Sequence, residues 1–375
     1  MTKKQKQRNR LIIQKPSDET SHWPTNGWSK AVPELQGIDS NALADVVAAS
    51  EQQEVHSLVV IRKGSLVAEA YRESLHPGSL QDMKSVTKSI TSALVGIALS
   101  ENKLQSLNQT LASFFPQLAG DMLKSKITVK HLVTMTSGIH WVNHMDQSSV
   151  EMMYSPDWVE YILNRPMAHD PGTKFNYSNG DAHLLSAILE RATGQTLAEY
   201  AKTRLFEPLG ITSFTWNHDP QGHTIGAWAL TLTSQDMAKL GLLYLKKGQW
   251  GSRAVLPRQW VKESLTTRVR QTLADGSQGG YGFYWYLKQI GVDKQRVYDV
   301  FYAAGSAGKR IFVVPALQLI AALTADSQNA HMPELTLRRI LQAVRTNGSL
   351  PLNQQATDRL EEAIHSFAGM HAFVR

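Results

Sequence analysis

A chain of 375 residues with 42% hydrophobic and 19% charged residues can bury a large core, and no apolar run reaches the roughly 18 to 20 residues of a membrane-crossing helix. Six of the seven net positive charges, on Lys3, Lys4, Lys6, Arg8, Arg10 and Lys15, lie in the first fifteen residues, so the remaining chain is nearly neutral and a nucleic-acid partner is not expected. The absence of cysteine excludes disulfides and thiolate chemistry and leaves the compartment open.

Residues 1–27 read as a basic, disordered arm. Its one apolar stretch, "LII", is too short for the core of a secretory signal, so a cytoplasmic location is the default expectation, with the periplasm still open. Next, "HSLVVIRKGSLVAEAYRES" predicts a hairpin of strands 57–62 and 66–72 joined at Lys63-Gly64-Ser65. From residue 83 to about 270 helical periodicity dominates, and "SNGDAHLLSAILERATG" and "SQDMAKLGLLYLKKG" each close on glycine. Strands return from residue 280 in "YGFYWYL", "RVYDVFYAAG", "KRIFVVP" and "LQLIAALTA", before helices near 334–345 and 357–366. Short links between the late strands imply antiparallel pairing. The expected class is therefore α+β (mixed α/β). Residues 28–82 and 280–375 form an antiparallel sheet flanked by helices, residues 83–279 an inserted, mostly helical domain, and the cleft lies at their interface.

Within "QDMKSVTKSITSALVGIALSENKL", Ser85 and Lys88 are three residues apart, on one face of a helix. A serine in the first turn lies where free N–H groups favour developing negative charge. A lysine among Val86, Ile90, Leu94 and Ile97 is desolvated, which lowers its pKa and suits it to take a proton from serine. The same residues fit an N-cap serine beside a snorkelling lysine. Serine-x-x-lysine also occurs at Ser100/Lys103 and Ser306/Lys309, but only Ser85 opens an apolar helix.

Tyr177 and Asn179, in "NYSNG", follow a Pro-Gly turn and precede a helix, a place from which a phenol can shuttle a proton and an amide oxygen can hold a lysine; a buried tyrosine beside an ordinary asparagine turn fits as well. In "YAAGSAGKR", Gly305 and Gly308 permit close backbone approach, so that the Ser306 N–H can serve an oxyanion opposite that of Ser85; a simple glycine turn is the alternative. His140, Trp141, Tyr154 and Trp158 are candidates to line a substrate cleft, although clustered aromatic residues also build cores. His140 and His144, followed by Asp146, have metal-ligand spacing only if that stretch is helical, and no metal or other cofactor is expected. Neither a G-x-S-x-G elbow nor a complete phosphate-binding loop is present.

In this order, the three elements resemble the serine β-lactamase and penicillin-binding-protein superfamily, and most closely its class C β-lactamase-related hydrolases, which include carboxylesterases, D-aminopeptidases and 6-aminohexanoate-dimer hydrolases. The likeness runs from about Trp28 to Asp326 and includes "ITVKHLVTMTSGI". It implies an acyl-enzyme on Ser85, activation by Lys88, a proton shuttle at Tyr177, orientation of Lys88 by Asn179, and an oxyanion hole from the N–H groups of Ser85 and Ser306. Ala303-Ala304-Gly305 departs from the Lys-Thr-Gly of lactamases, which favours small esters or amides over β-lactams. A non-catalytic peptide- or cell-wall-sensing module is the alternative of another kind.

Overall fold

The computed structural model describes residues 23–273 and 275–369; most of the basic arm thus lies outside the described residues. Its last part is ordered. Pro24–Asn26 form a 3-10 turn, and Trp23 packs on Trp250 with ring centroids 5.2 Å apart.

The first strands, β1 (Val55–Arg62) and β2 (Ser65–Tyr71), form the expected hairpin. Lys63 and Gly64 both take positive φ (49° and 80°), the geometry that matches a two-residue turn to the twist of its strands. Six later strands join the same sheet: β3 (Val269–Thr272), β4 (Gln278–Tyr281), β5 (Tyr286–Gly291), β6 (Val297–Ala304), β7 (Arg310–Val314) and β8 (Leu319–Ala325). All eight lie in one antiparallel sheet of order β2-β1-β8-β7-β6-β5-β4-β3, so the first hairpin pairs with the last strand. The sheet recruits chain from residue 269 onward, earlier than the expected boundary at 280. The aromatic run expected as one strand at 281–287 is broken. Gly282 donates to the Trp285 carbonyl across a turn in which Tyr284 has φ +63°, and this turn buries Phe283, Tyr284 and Trp285 instead of extending them.

Both sheet faces are covered, which explains the nearly unbroken apolar run in β1. Leu58 and Val60 point into a core formed with α1 (Ser40–Glu51) and the C-terminal helices. Val59 and Ile61 point into the opposite core, which is continuous with the helical part. That part contains α2 (Thr87–Ser100), α3 (Asn179–Thr193) and α4 (Ser234–Leu245), and α4 packs on β1, β7 and β8. The chain ends in α5 (Met332–Ala343) and α6 (Gln354–Phe367). The architecture is the expected mixed α/β arrangement of a central antiparallel sheet flanked by helices. Among the described residues, no helix is long and apolar enough to cross a membrane.

Helix α2, which carries Lys88, is buried from Thr87 to Ala98 and therefore cannot slide or roll freely. Gly96 fixes its depth, because a Cβ there would meet the Trp260 ring at 2.3 Å. Alanine is the better helix former by about 1 kcal/mol, yet overpacking of this size costs about 1–3 kcal/mol. Gly96→Ala is expected to lower stability in a chemical-denaturation experiment, opposite to the sign of helix propensity.

Candidate active site

Ser85 sits on a 3-10 turn, Lys84–Val86, that feeds directly into α2. It does not cap the helix through its side chain. Its hydroxyl instead accepts a hydrogen bond from Lys88 Nζ at 2.8 Å, and Nζ also donates to the Ala227 carbonyl at 2.9 Å. The lysine is therefore turned inward, at 2% exposure, and does not reach for solvent. Desolvation holds its pKa well below the ordinary lysine value, with the negative charge of Asp146 opposing that fall. A neutral amine in contact with a serine hydroxyl has the chemistry of a general base.

Tyr177 lies beside this pair, with Lys88 Nζ 4.9 Å from the centre of its ring. Burial pushes the phenol pKa far up, with a contribution from Tyr286, while the Ser85 hydroxyl draws it down. The phenol is thus held protonated and can donate. The backbone places it: Ser178 caps α3 by accepting the Asp181 N–H at 3.0 Å, and Asn143 Nδ2 donates to the Tyr177 carbonyl at 2.8 Å. Asn179 makes no hydrogen bond to Lys88, where the expectation was that its amide oxygen holds the lysine: its Nδ2 donates to Ser149 Oγ at 2.8 Å, its buried Oδ1 has no partner, and Lys88 Nζ bonds the Ala227 carbonyl.

The third element arrives at the end of β6. Gly305 is buried against the segment before Ser85, where a Cβ would meet the Met83 carbonyl oxygen at 2.6 Å. The glycine is needed for this close approach, not for its φ of −123°. Ser306 then begins the 3-10 turn Ser306–Gly308. The N–H groups of Ser85 and Ser306 donate to no acceptor outside their own turns among the described residues, which leaves two donors for an oxyanion.

The proposed cleft walls are distributed differently from the expectation. Tyr154 is 87% exposed at the end of the helix Gln147–Tyr154. Trp158 is buried in the core, edge-on to His183 and beside Trp228. Trp141 packs behind the start of α3, where a Cβ on Gly180 would meet its ring at 2.5 Å. His140 is exposed and faces Arg165 through Nδ1 at 3.2 Å. His144 begins a separate 3-10 turn, so the two histidines share no helix. Sequence reasoning missed Ala227 and Ser149, which act through a backbone carbonyl and a long-range contact and leave no local pattern.

A serine paired with a buried lysine, a neighbouring tyrosine and two free N–H groups between a sheet and a helical region define an acyl-transfer type of centre. The chain belongs to the Beta-lactamase family, whose model matches residues 43–345. It is 24% identical over 263 residues to the 6-aminohexanoate-dimer hydrolase of Paenarthrobacter ureafaciens, covering 65% of this chain and 67% of that protein. It is 32% identical over 162 residues to the lovastatin esterase of Penicillium rubens, covering 36% of this chain and 40% of that one. The fold matches a Bacillus anthracis protein provisionally described as a 6-aminohexanoate-dimer hydrolase, with a TM-score of 0.71 and 19% identity over 88% of this chain and 91% of the other.

Two titrating groups lead to opposite expectations. In the fold Lys88 stays neutral at a pH where the unfolded chain protonates it, so its contribution to stability rises as pH climbs toward the unfolded value of about 10.4. Lys88→Met is expected to remove this slope and raise or preserve the melting temperature at pH 7, while turnover falls by about 10³-fold or more.

Asp181, 1% exposed, is pushed up to about 7 by burial; Ser137 Oγ bonds Oδ1 at 2.7 Å, and Oδ2 has no partner. A raised carboxyl pKa favours the fold below about 4, and this advantage is lost as pH rises through about 7. Asp181→Asn is expected to raise the melting temperature at pH 8 relative to wild type, with little gain at pH 4, as measured by thermal melts across that range.

Proposed function

We propose that the protein is a serine hydrolase of small esters or amides, a carboxylesterase, amidase or 6-aminohexanoate-oligomer-hydrolase-like enzyme, with Ser85 as its acylated nucleophile. One observation carries this reading: the Lys88 amine is buried and shares its hydrogen bonds between Ser85 Oγ and a backbone carbonyl. Burying an amine costs several kcal/mol unless the group is neutral, and a neutral amine on a serine is what acylation needs. A module that only binds peptides has no use for it.

In the proposed cycle Lys88 takes the Ser85 proton as Oγ attacks the substrate carbonyl carbon. The oxyanion meets the N–H groups of Ser85 and Ser306. Lys88 hands the serine proton on to Tyr177, which gives its phenolic proton to the departing alcohol or amine as the C–O or C–N bond breaks, so that both groups return to their starting forms. Water then attacks the acyl carbon of the ester on Ser85, and the proton it loses passes by way of Lys88 to Ser85 Oγ as the acyl C–O bond breaks and the acid leaves.

The substrate class rests on what the oxyanion strand lacks. Ala303 is fully buried in β6 and Ala304 follows it, so this strand offers no lysine for a substrate carboxylate. The two relatives named above are, by their names, a hydrolase of the 6-aminohexanoate dimer and a lovastatin esterase, which supports this range.

Hydrolysis of a short-chain p-nitrophenyl ester by wild type, Ser85→Ala and Tyr177→Phe tests the reading. Steady turnover by wild type is expected, lost to background in Ser85→Ala and reduced by about 10²-fold or more in Tyr177→Phe. Equal turnover in wild type and Ser85→Ala would remove Ser85 from the mechanism.

A further inference from the structure

Four residues before the nucleophile lies a fully buried polar cluster that the chemistry does not use. Gln81 is 8% exposed, and Ser57, Ser234 and Thr324 are fully buried. Ser57 Oγ lies 2.5 Å from Ser234 Oγ and 2.6 Å from Thr324 Oγ1. Thr324 donates to Gln81 Oε1 at 2.5 Å, and Gln81 Nε2 donates to Ser57 at 3.3 Å and Ser234 at 3.4 Å. The residues come from β1, β8, the start of α4 and the two-residue strand Gln81–Asp82.

Proton counting fixes the direction of every bond. Each hydroxyl has one hydrogen. Thr324 spends its hydrogen on Gln81 Oε1, so Ser57 must donate to Thr324 and Ser234 must donate to Ser57. The amide closes the ring, accepting at one end of the chain and donating to the other two hydroxyls. Gln81 thus touches all three of the others, accepting from Thr324 and donating to Ser57 and Ser234. It is the only one of the four on the segment that leads to the nucleophile.

That segment is short and strained. Gln81 pairs with Leu232 and Asp82 with Thr231, and Met83 N–H donates to the Leu230 carbonyl at 2.9 Å. Lys84 then takes φ +46°, a left-handed conformation unfavourable for a residue with a side chain. Asp82 holds this turn by accepting the Lys84 N–H at 2.8 Å and pairing with its amine at 2.7 Å. Ser85 follows. The Met83 carbonyl meanwhile abuts Gly305, one residue from the second N–H donor.

We infer that Gln81 is a positioning residue for Ser85: its amide closes the Ser234-Ser57-Thr324 hydroxyl chain and so locks the strained turn that presents the nucleophile to the sheet and to α4. This inference rests on the hydrolase reading. Displacements of about 1 Å cost about 10²-fold in a step that needs aligned atoms, and a segment released from three elements has that freedom.

The test compares Gln81→Met with Gln81→Glu, together with Ser57→Ala, at the plateau of the pH-rate profile. Methionine keeps the length of the side chain and loses both functions. Glutamate accepts from Thr324 with one oxygen and from Ser234 with the other, which keeps the segment tied to β8 and α4 but takes the Ser234 hydrogen from Ser57 and buries a charge. The expected result is a fall in kcat of about 10-fold or more in Gln81→Met with KM within about two-fold. Labelling of Ser85 by a fluorophosphonate should slow in parallel. Gln81→Glu should keep most of the wild-type kcat despite a lower melting temperature, and Ser57→Ala should lower kcat in the same direction as methionine.

Wild-type kcat in both Gln81→Met and Ser57→Ala, or kcat values that follow melting temperature across the set, would overturn the inference. If Gln81→Met does not fold, Ser57→Ala and Gln81→Glu decide it by the same criterion. A wild type that neither labels at Ser85 nor turns over any ester would instead overturn the hydrolase reading, and this inference with it.

Discussion

The site depends on an amine kept out of water. At full burial Lys88 has no solvent to share its charge and only two hydrogen-bond partners, a hydroxyl and a carbonyl. Neither compensates a full positive charge, so burial favours the neutral form of the amine. Everything around the lysine serves that exclusion. Val86, Ile90, Leu94 and Ile97 bury α2 from below, Gly96 lets Trp260 close on its far side, and the Tyr177 ring covers the amine from the cleft.

Such a helix cannot also supply the rest of the chemistry, because every face of it is occupied. The oxyanion donors and the tyrosine must therefore come from elsewhere in the chain. The topology meets this need by pairing the first hairpin with the last strand, which leaves residues between them free to form a helical body against the same sheet. The end of β6 then meets the start of α2 at Gly305, where a single Cβ would push the two apart. One missing side chain thus lets the turn that carries Ser85 and the turn that carries Ser306 approach each other.

Local features of this plan were legible in the sequence. Ser85 and Lys88 are three residues apart, and the apolar spacing around them shows which way the lysine must face. The hairpin turn at Lys63-Gly64, the glycine closing α3 and the late strands were equally local. What escaped depends on contacts between distant residues. Asn179 has the right type and position to hold a lysine, yet Ser149, thirty residues away, takes its amide. Tyr154 looks like a pocket wall, but the docking of its helix turns it to solvent. The Ala227 carbonyl belongs to a residue whose side chain carries no signal, and the broken strand at 282–285 follows from one positive φ at Tyr284 that tyrosine does not advertise.

Three of the thirteen non-glycine residues with positive φ among the described residues flank the candidate site. Lys84 takes φ +46° just before Ser85, and Ala307 takes φ +56° just after Ser306. Met135, at φ +55°, receives the Ser178 N–H on its sulfur at 3.2 Å beside Tyr177. Each such conformation costs about 1–3 kcal/mol and survives only where neighbours over-determine it. Asp82 does this for Lys84, and at the turn after β6 Gly305 N–H bonds the Lys309 carbonyl while Arg310 Nη1 bonds the Gly305 carbonyl at 2.6 Å. Three turns from three parts of the chain are each forced out of their relaxed shape to bring one group to one point. A backbone optimised for stability alone would relax all three, and the groups they carry would no longer converge.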